Sequence, residues 1–262
     1  MSSIQSFIQA EQNSLPALYE QFDRVITWSQ QQDHAVGYYA VFYHHMLRQT
    51  DAEAEWGRFT EKEAIRQLNL KLANRYLSTL YAYFQEEVLP GAWQLVFTSA
   101  GNEQVSLFQH LTVGLLAHLR YDLPVVAAET WTPEQAQACE EDYFTYILFQ
   151  VEALSRVQEQ LGRRSKAFRV MNALGSSHDQ WLANLSRPDL HRQGYSQMTQ
   201  MIPASEDQSV DLTDRIDMQV TEAIEGIVAS AFRPRRRLVS RVSRWESQST
   251  SKMIAELRKI CG

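Results

Sequence analysis

The chain has 262 residues, enough to bury one large core without disulfides or metals. Its 44% hydrophobic and 21% charged residues are ordinary for a globular protein. A net charge of −6 argues against wholesale nucleic-acid binding, which needs a basic face.

Ser14 before Leu15-Pro16 predicts a helix start, with helix to about Gln31. A second helix is expected over about 35–54, with Tyr38, Val41, Phe42 and His45 near one face. Thr60 and Glu63 have the spacing of a capping box that opens a long helix to about Glu87. Its apolar stripe is Ile65, Leu68, Leu72, Tyr76, Leu80 and Phe84, and Pro90-Gly91 ends the unit. A short helix or turn follows over 92–100. Asn102 is expected to cap a helix over 103–123, which Pro124 bends or ends, because its ring clashes with the carbonyl of Arg120. Thr132-Pro133 restarts helix, which runs to about Leu161 and stops at Gly162. Further helices are expected at about 178–200, 213–232 and 249–260, with 203–211 as an acidic surface loop. With 10 Gly, 7 Pro and no alternating apolar–polar run, helix is the default throughout.

The expected fold is therefore all-α: a single multi-helix, bundle-like domain over residues 1–262, its C-terminal helices 213–262 packed on the main bundle. Helix 103–123 is apolar nearly all round, which marks a buried central helix. The most apolar run, Val113–Leu119, is broken by Arg120 and Asp122, so no membrane span is expected. Cys139 and Cys261 lack CxxC spacing and read as reduced thiols, and no secretory leader is visible; the expected location is cytoplasmic.

Polar groups interrupt the central helix on one side. His110, His118 and Asp122 fall within an arc of about 120° at helical spacing, with Gly114 between the histidines. Glu129 joins the same arc if helix resumes past Pro124. A buried carboxylate needs a partner. For Asp122 that partner is Arg75, Arg120, a protonated histidine or a metal ion. Two imidazoles and a carboxylate also suit a divalent transition metal, with Glu129 or His45 then acting as general base. Asn69, within the stripe of helix 61–87, and Arg75 at its edge are further polar-core or ligand-binding candidates. Arg233-Pro234-Arg235-Arg236-Arg237, with Arg241 and Arg244, is the one concentrated charge run. Its two readings are an anionic partner held by Arg235, Arg236 and Arg237, and a solvated connection. No GxSxG, Walker A loop or GxGxxG appears.

Several segments resemble a bacterial family, domain-of-unknown-function family 5995. They are Gly37-Tyr38-Tyr39-Ala40, Leu72-Ala73-Asn74-Arg75-Tyr76-Leu77, Trp93-Gln94-Leu95-Val96-Phe97, and Gln109-His110-Leu111 through Ala117-His118-Leu119-Arg120-Tyr121-Asp122-Leu123. The pattern continues through Arg233-Pro234 to Arg258-Lys259-Ile260. The resemblance implies one helical domain and no stated activity. It also implies an acidic residue ahead of the Ala-Asn-Arg-Tyr-Leu segment, where this chain has Asn69. The His118–Asp122 turn is similar to the zinc-binding helix of the phospholipase C and P1-type nuclease fold, whose other ligands are not recognisable here. Two functions remain open: a small-ligand or partner-binding domain with a structural polar stripe, and a metal-dependent hydrolase using His110, His118 and Asp122.

Overall fold

The computed structural model describes residue 4 and residues 11–164, 183–229 and 249–262. Eleven α-helices and no strand occur among them. The first four are α1 (Leu15–Gln31), α2 (Val36–Glu55), α3 (Lys62–Phe84) and α4 (Gly91–Ser99). Next comes one continuous helical rod made of α5 (Leu107–Ala117), a π-helical turn (His118–Asp122) and α6 (Leu123–Thr130). Then follow α7 (Pro133–Ala138), α8 (Glu140–Arg164), α9 (Pro188–Met201), α10 (Glu206–Ala229) and α11 (Thr250–Cys261).

The rod is the axis of the molecule. α5 packs against α2, α4, α8 and α10, and α6 packs against α3 and α9. Every residue of α5 is buried, as its all-round apolar sequence predicts. Leu107–Thr130 is long and apolar enough to cross a membrane by length and composition, but 89% of its most apolar window is covered by the rest of the fold. Buried apolar residues form one continuous cluster from Ile4 to Cys261.

Pro124 does not end this rod. Its ring and missing N–H are absorbed one turn earlier, where the helix widens and the Leu123 N–H donates to the carbonyl of His118. Such wide turns are rare and occur often at functional sites. Past the turn, Glu129 still lies on the side of Arg75, which holds Asp122 through Nε and stands 3.8 Å from Glu129 Oε1 through Nη1.

Five other boundaries differ from expectation. The helix expected over 178–200 is interrupted at Ser186 and Arg187 and restarts at Pro188, and 178–182 lie outside the described residues. Thr60 and Glu63 form no capping box. Instead Asp142, from the first turn of α8, accepts from the N–H groups of Thr60 (3.0 Å) and Glu61 (2.7 Å). Asn102 accepts from Gln104 N–H, and helix starts only at Leu107, capped by a Ser106–Gln109 box. The predicted helix from Pro133 breaks at Cys139 into α7 and α8. Finally, α10 begins at Glu206 rather than 213, because Glu206 and Asp207 sit in a first turn, where the helix dipole favours carboxylates. The predicted loop at 203–211 is thus mostly helix.

Asp142 is 3% exposed, so its cap is a buried, charge-assisted tie between α3 and α8. Asp142→Ala should cost about 2 kcal/mol with little change in the slope of a urea denaturation curve. Asp217 of α10 ties α4 in the same way, accepting from Gly91 N–H (2.6 Å) and Ala92 N–H (2.9 Å).

Candidate functional site

The π turn sends His118 and Asp122 into the most aromatic part of the core. Tyr39 and Tyr43 lie one turn apart on α2, so both face inward. Tyr76 comes from α3, Trp93 and Phe97 from α4, and Tyr146 from α8. Ring centroids of Tyr43 and Tyr76 are 5.1 Å apart, of Tyr39 and Tyr43 5.8 Å, of Tyr76 and Trp93 5.4 Å, and of Tyr43 and His118 4.7 Å. Gly114 is part of this packing. A Cβ there would stand 2.4 Å from the Tyr39 ring, so only glycine lets α5 and α2 approach this closely.

Asp122 is fully buried and engages both its oxygens. Oδ1 accepts from Arg75 Nε at 2.9 Å, and Oδ2 accepts from Trp93 Nε1 at 2.9 Å. Burial pushes its carboxyl up to about 6, against the pull of the Arg75 charge and of these two hydrogen bonds. Arg75 also donates to the Tyr121 hydroxyl at 3.3 Å, and its Nη1 stands 3.8 Å from Glu129 Oε1. Of the two arginines weighed for Asp122, Arg75 is the partner and Arg120 points elsewhere. The Glu129 side chain is 59% exposed and marks the solvent edge of this ion pair.

His118 is also fully buried, and burial drives its imidazole down to about 3, so the ring is neutral. Its Nε2 lies 3.2 Å from the Tyr146 hydroxyl and 3.4 Å from Gln150 Nε2. Asn69 enters the same network. Its Oδ1 accepts from the Tyr146 hydroxyl at 3.4 Å, and its Nδ2 donates to the Leu47 carbonyl at 3.1 Å. His110 stands apart. Its Nδ1 is 3.5 Å from Ser99 Oγ, its ring packs beside Tyr38, and burial lowers it to about 4.

The three groups of the predicted polar stripe are therefore all buried, but each turns to different neighbours. His110 faces α4 and α2, His118 faces α8 and α2, and Asp122 faces α3 and α4. No hydrogen bond joins any two of them among the described residues. Nor do three His, Cys, Asp or Glu side chains among those residues gather as a group that could hold a metal ion. His45 is partly buried on α2 and turns toward the Cys261 backbone at the end of α11. Arg235, Arg236 and Arg237, with the rest of the 233–244 run, lie outside the described residues.

Five buried polar atoms in this region have no hydrogen-bond partner among the described residues: the hydroxyls of Tyr39, Tyr43 and Tyr76, His118 Nδ1 and Gln150 Oε1. The hydroxyls share one electrostatic neighbourhood. Burial raises both Tyr39 and Tyr43, and the charges of Asp122, Tyr146 and Tyr76 raise them further. The sequence singles out His118 and Asp122 as buried polar groups but not the tyrosines around them. The signal was the i, i+4 pair Tyr39 and Tyr43 facing the same way as Tyr76, but tyrosine on an apolar stripe reads as ordinary core.

No curated protein and no solved structure matches the chain. A family model does match, over residues 15–230, which takes in α1 through α10 and both halves of the polar cluster. The match stops short of Arg233 and of α11, so the continuation expected toward Ile260 lies beyond it. By that match the chain belongs to the family of unknown function DUF5995.

Proposed function

We propose that this chain is a single small-ligand-binding helical domain whose ligand sits among Tyr39, Tyr43, Tyr76, His118 and Gln150 at the π turn. One observation carries the reading: five buried polar atoms without partners among the described residues belong to side chains that touch one another, Tyr39, Tyr43, Tyr76, His118 and Gln150. Each such atom costs about 1–3 kcal/mol when buried and unsatisfied. A set of five in one neighbourhood is a large penalty unless something else meets it.

The surrounding groups specify the chemistry. The tyrosines stay protonated, His118 is neutral, and Asp122 and Arg75 neutralise each other. No net charge is left to attract an ion. The fitting ligand is a small neutral molecule with both hydrogen-bond donors and acceptors, held between aromatic faces.

The hydrolase alternative draws less support. It needs His110, His118 and Asp122 to aim at one ion, whereas Asp122 is committed to Arg75 and Trp93, and His110 to Ser99. Its general-base candidates, Glu129 and His45, sit at the exposed edge and beside α11. The two free thiols, Cys139 and Cys261, are buried and raised to about 11 and about 12, first of all by burial. Unreactive reduced thiols fit the cytoplasm, where we place the protein.

Native mass spectrometry of the untagged protein tests the proposal. The wild type should carry a small neutral adduct that is lost on denaturation. The triple variant Tyr39→Phe, Tyr43→Phe, Tyr76→Phe should fold without it. An adduct retained by the triple variant, or none in the wild type, would overturn the reading.

A further inference from the structure

We propose a second, separate site: a crevice between the π turn, α8 and α9 that binds the carboxylate group of a small monoanionic molecule through Arg120. This site is independent of the tyrosine cluster.

Arg120 is on the same π turn as His118 and Asp122 but projects to the other side. It lines a small cavity of about 20 Å³ together with Tyr143, Asn184 and Gln197. That is room for one small polar group. Arg120 is partly buried and makes no hydrogen bond or ion pair among the described residues. An arginine removed from water without a partner is destabilising, and such groups are normally paired. Burial and then the nearby Arg187 push its guanidinium down, with Asp189 pulling the other way.

Tyr143 supplies the independent second observation. It is 0% exposed, and its hydroxyl has no partner among the described residues. That hydroxyl reaches the cavity at Gly194 of α9, where an added Cβ would stand only 3.1 Å from it. A guanidinium and a hydroxyl, both without partners, thus line one cavity beside two side-chain amides. Four such donors suit the oxygens of a carboxylate, which a guanidinium can grip with two parallel N–H bonds.

Charge selects a monoanion. Arg187 and Asp189 pair with each other, with Nε to Oδ1 at 3.1 Å. His191 donates from Nε2 to the Leu185 carbonyl at 2.6 Å, and burial keeps its ring uncharged. Among the residues that line the cavity Arg120 carries the one positive charge, and Asp189, which pulls on it, is held by Arg187; a single cation suits a carboxylate better than a phosphate dianion. Leu119, Ile147 and Leu185 line the apolar side of the cavity, which takes the carboxylate group and leaves the rest of the molecule outside.

The test is isothermal titration of sodium acetate and sodium butyrate into the full chain, with sodium phosphate and sodium chloride compared at matched ionic strength. Acetate and butyrate should both bind saturably and with similar affinity, because only the carboxylate enters the cavity, with phosphate and chloride weaker than both. Arg120→Met should weaken butyrate at least about tenfold. Tyr143→Phe deletes a hydroxyl that has no partner, so it should fold normally and still lose affinity severalfold. Ligand-free Arg120→Met should also melt about 2 °C or more above the wild type, because it removes an unpaired, partly buried charge. Equal butyrate affinity in wild type and Arg120→Met would overturn the site. So would phosphate or chloride binding as tightly as butyrate, no carboxylate binding at all, or a lower melting temperature for Arg120→Met.

Discussion

Between about pH 7 and pH 5 the protein is expected to lose on the order of 3 kcal/mol of stability, the steepest response in its accessible pH range. All six histidines among the described residues are lowered, with burial the first cause each time. His118 and His110 are held at about 3 and about 4. An unfolded chain protonates its histidines near pH 6.5, while the folded chain keeps these two neutral to much lower pH. Unfolding therefore takes up protons below pH 6.5. The stability these rings contribute is fully present above that pH and drains away as pH falls toward their folded values. Asp122 works in the opposite direction. Its folded carboxyl titrates at about 6, above an unfolded value of 3.8, so it takes up a proton on the folded side and offsets part of the loss. Urea denaturation at stepped pH measures the sum. Stability should fall steadily below pH 6.5, and more steeply in Asp122→Asn, where the offset is gone. A flat profile over this window would contradict the burial of neutral histidines.

Removing the Asp122 carboxylate should be the most damaging single change at the π turn. Asp122→Ala leaves the buried Trp93 N–H unsatisfied and takes the buried countercharge from Arg75, whose side chain is only 26% exposed and keeps the Tyr121 hydroxyl and the exposed Glu129. Breaking a buried pair from one side costs about 3–5 kcal/mol, which urea denaturation at pH 8 would measure. Arg75→Met attacks the same pair from the other side and should behave differently. The carboxyl left behind, already raised by burial, rises further and takes up a proton at low pH. A group raised on folding contributes stability that is lost as pH increases. The deficit of Arg75→Met relative to wild type should therefore be small near pH 5 and grow toward pH 8. A deficit independent of pH would mean that Asp122 does not depend on Arg75 for its charge.

The sequence carried the fold further than the site. Helix positions followed from apolar spacing and from local signals such as Ser14 before Leu15-Pro16 and Thr132 before Pro133. It misled where a cap came from far away in the chain, as Asp142 does for α3, a partner more than eighty residues distant that no local pattern reveals. Burial of His110, His118 and Asp122 was legible, because a helix apolar on every side has no exposed face to give them. Where they point was not. The register beyond Ala117 depends on how the chain meets Pro124, and a widened turn replaced the bend or stop that regular helix geometry suggests. The unmatched hydroxyls of Tyr39, Tyr43 and Tyr76 were beyond reach for another reason. A buried tyrosine normally finds a partner, and whether it does is a property of neighbours on other helices.

A crystal structure at high resolution, from protein purified without a tag, is the most direct test of the π-turn site. Non-protein density larger than water should bridge His118 Nδ1 and the hydroxyls of Tyr43 and Tyr76. Density for isolated waters alone, or those hydroxyls bonded to protein groups of their own, would contradict ligand binding there.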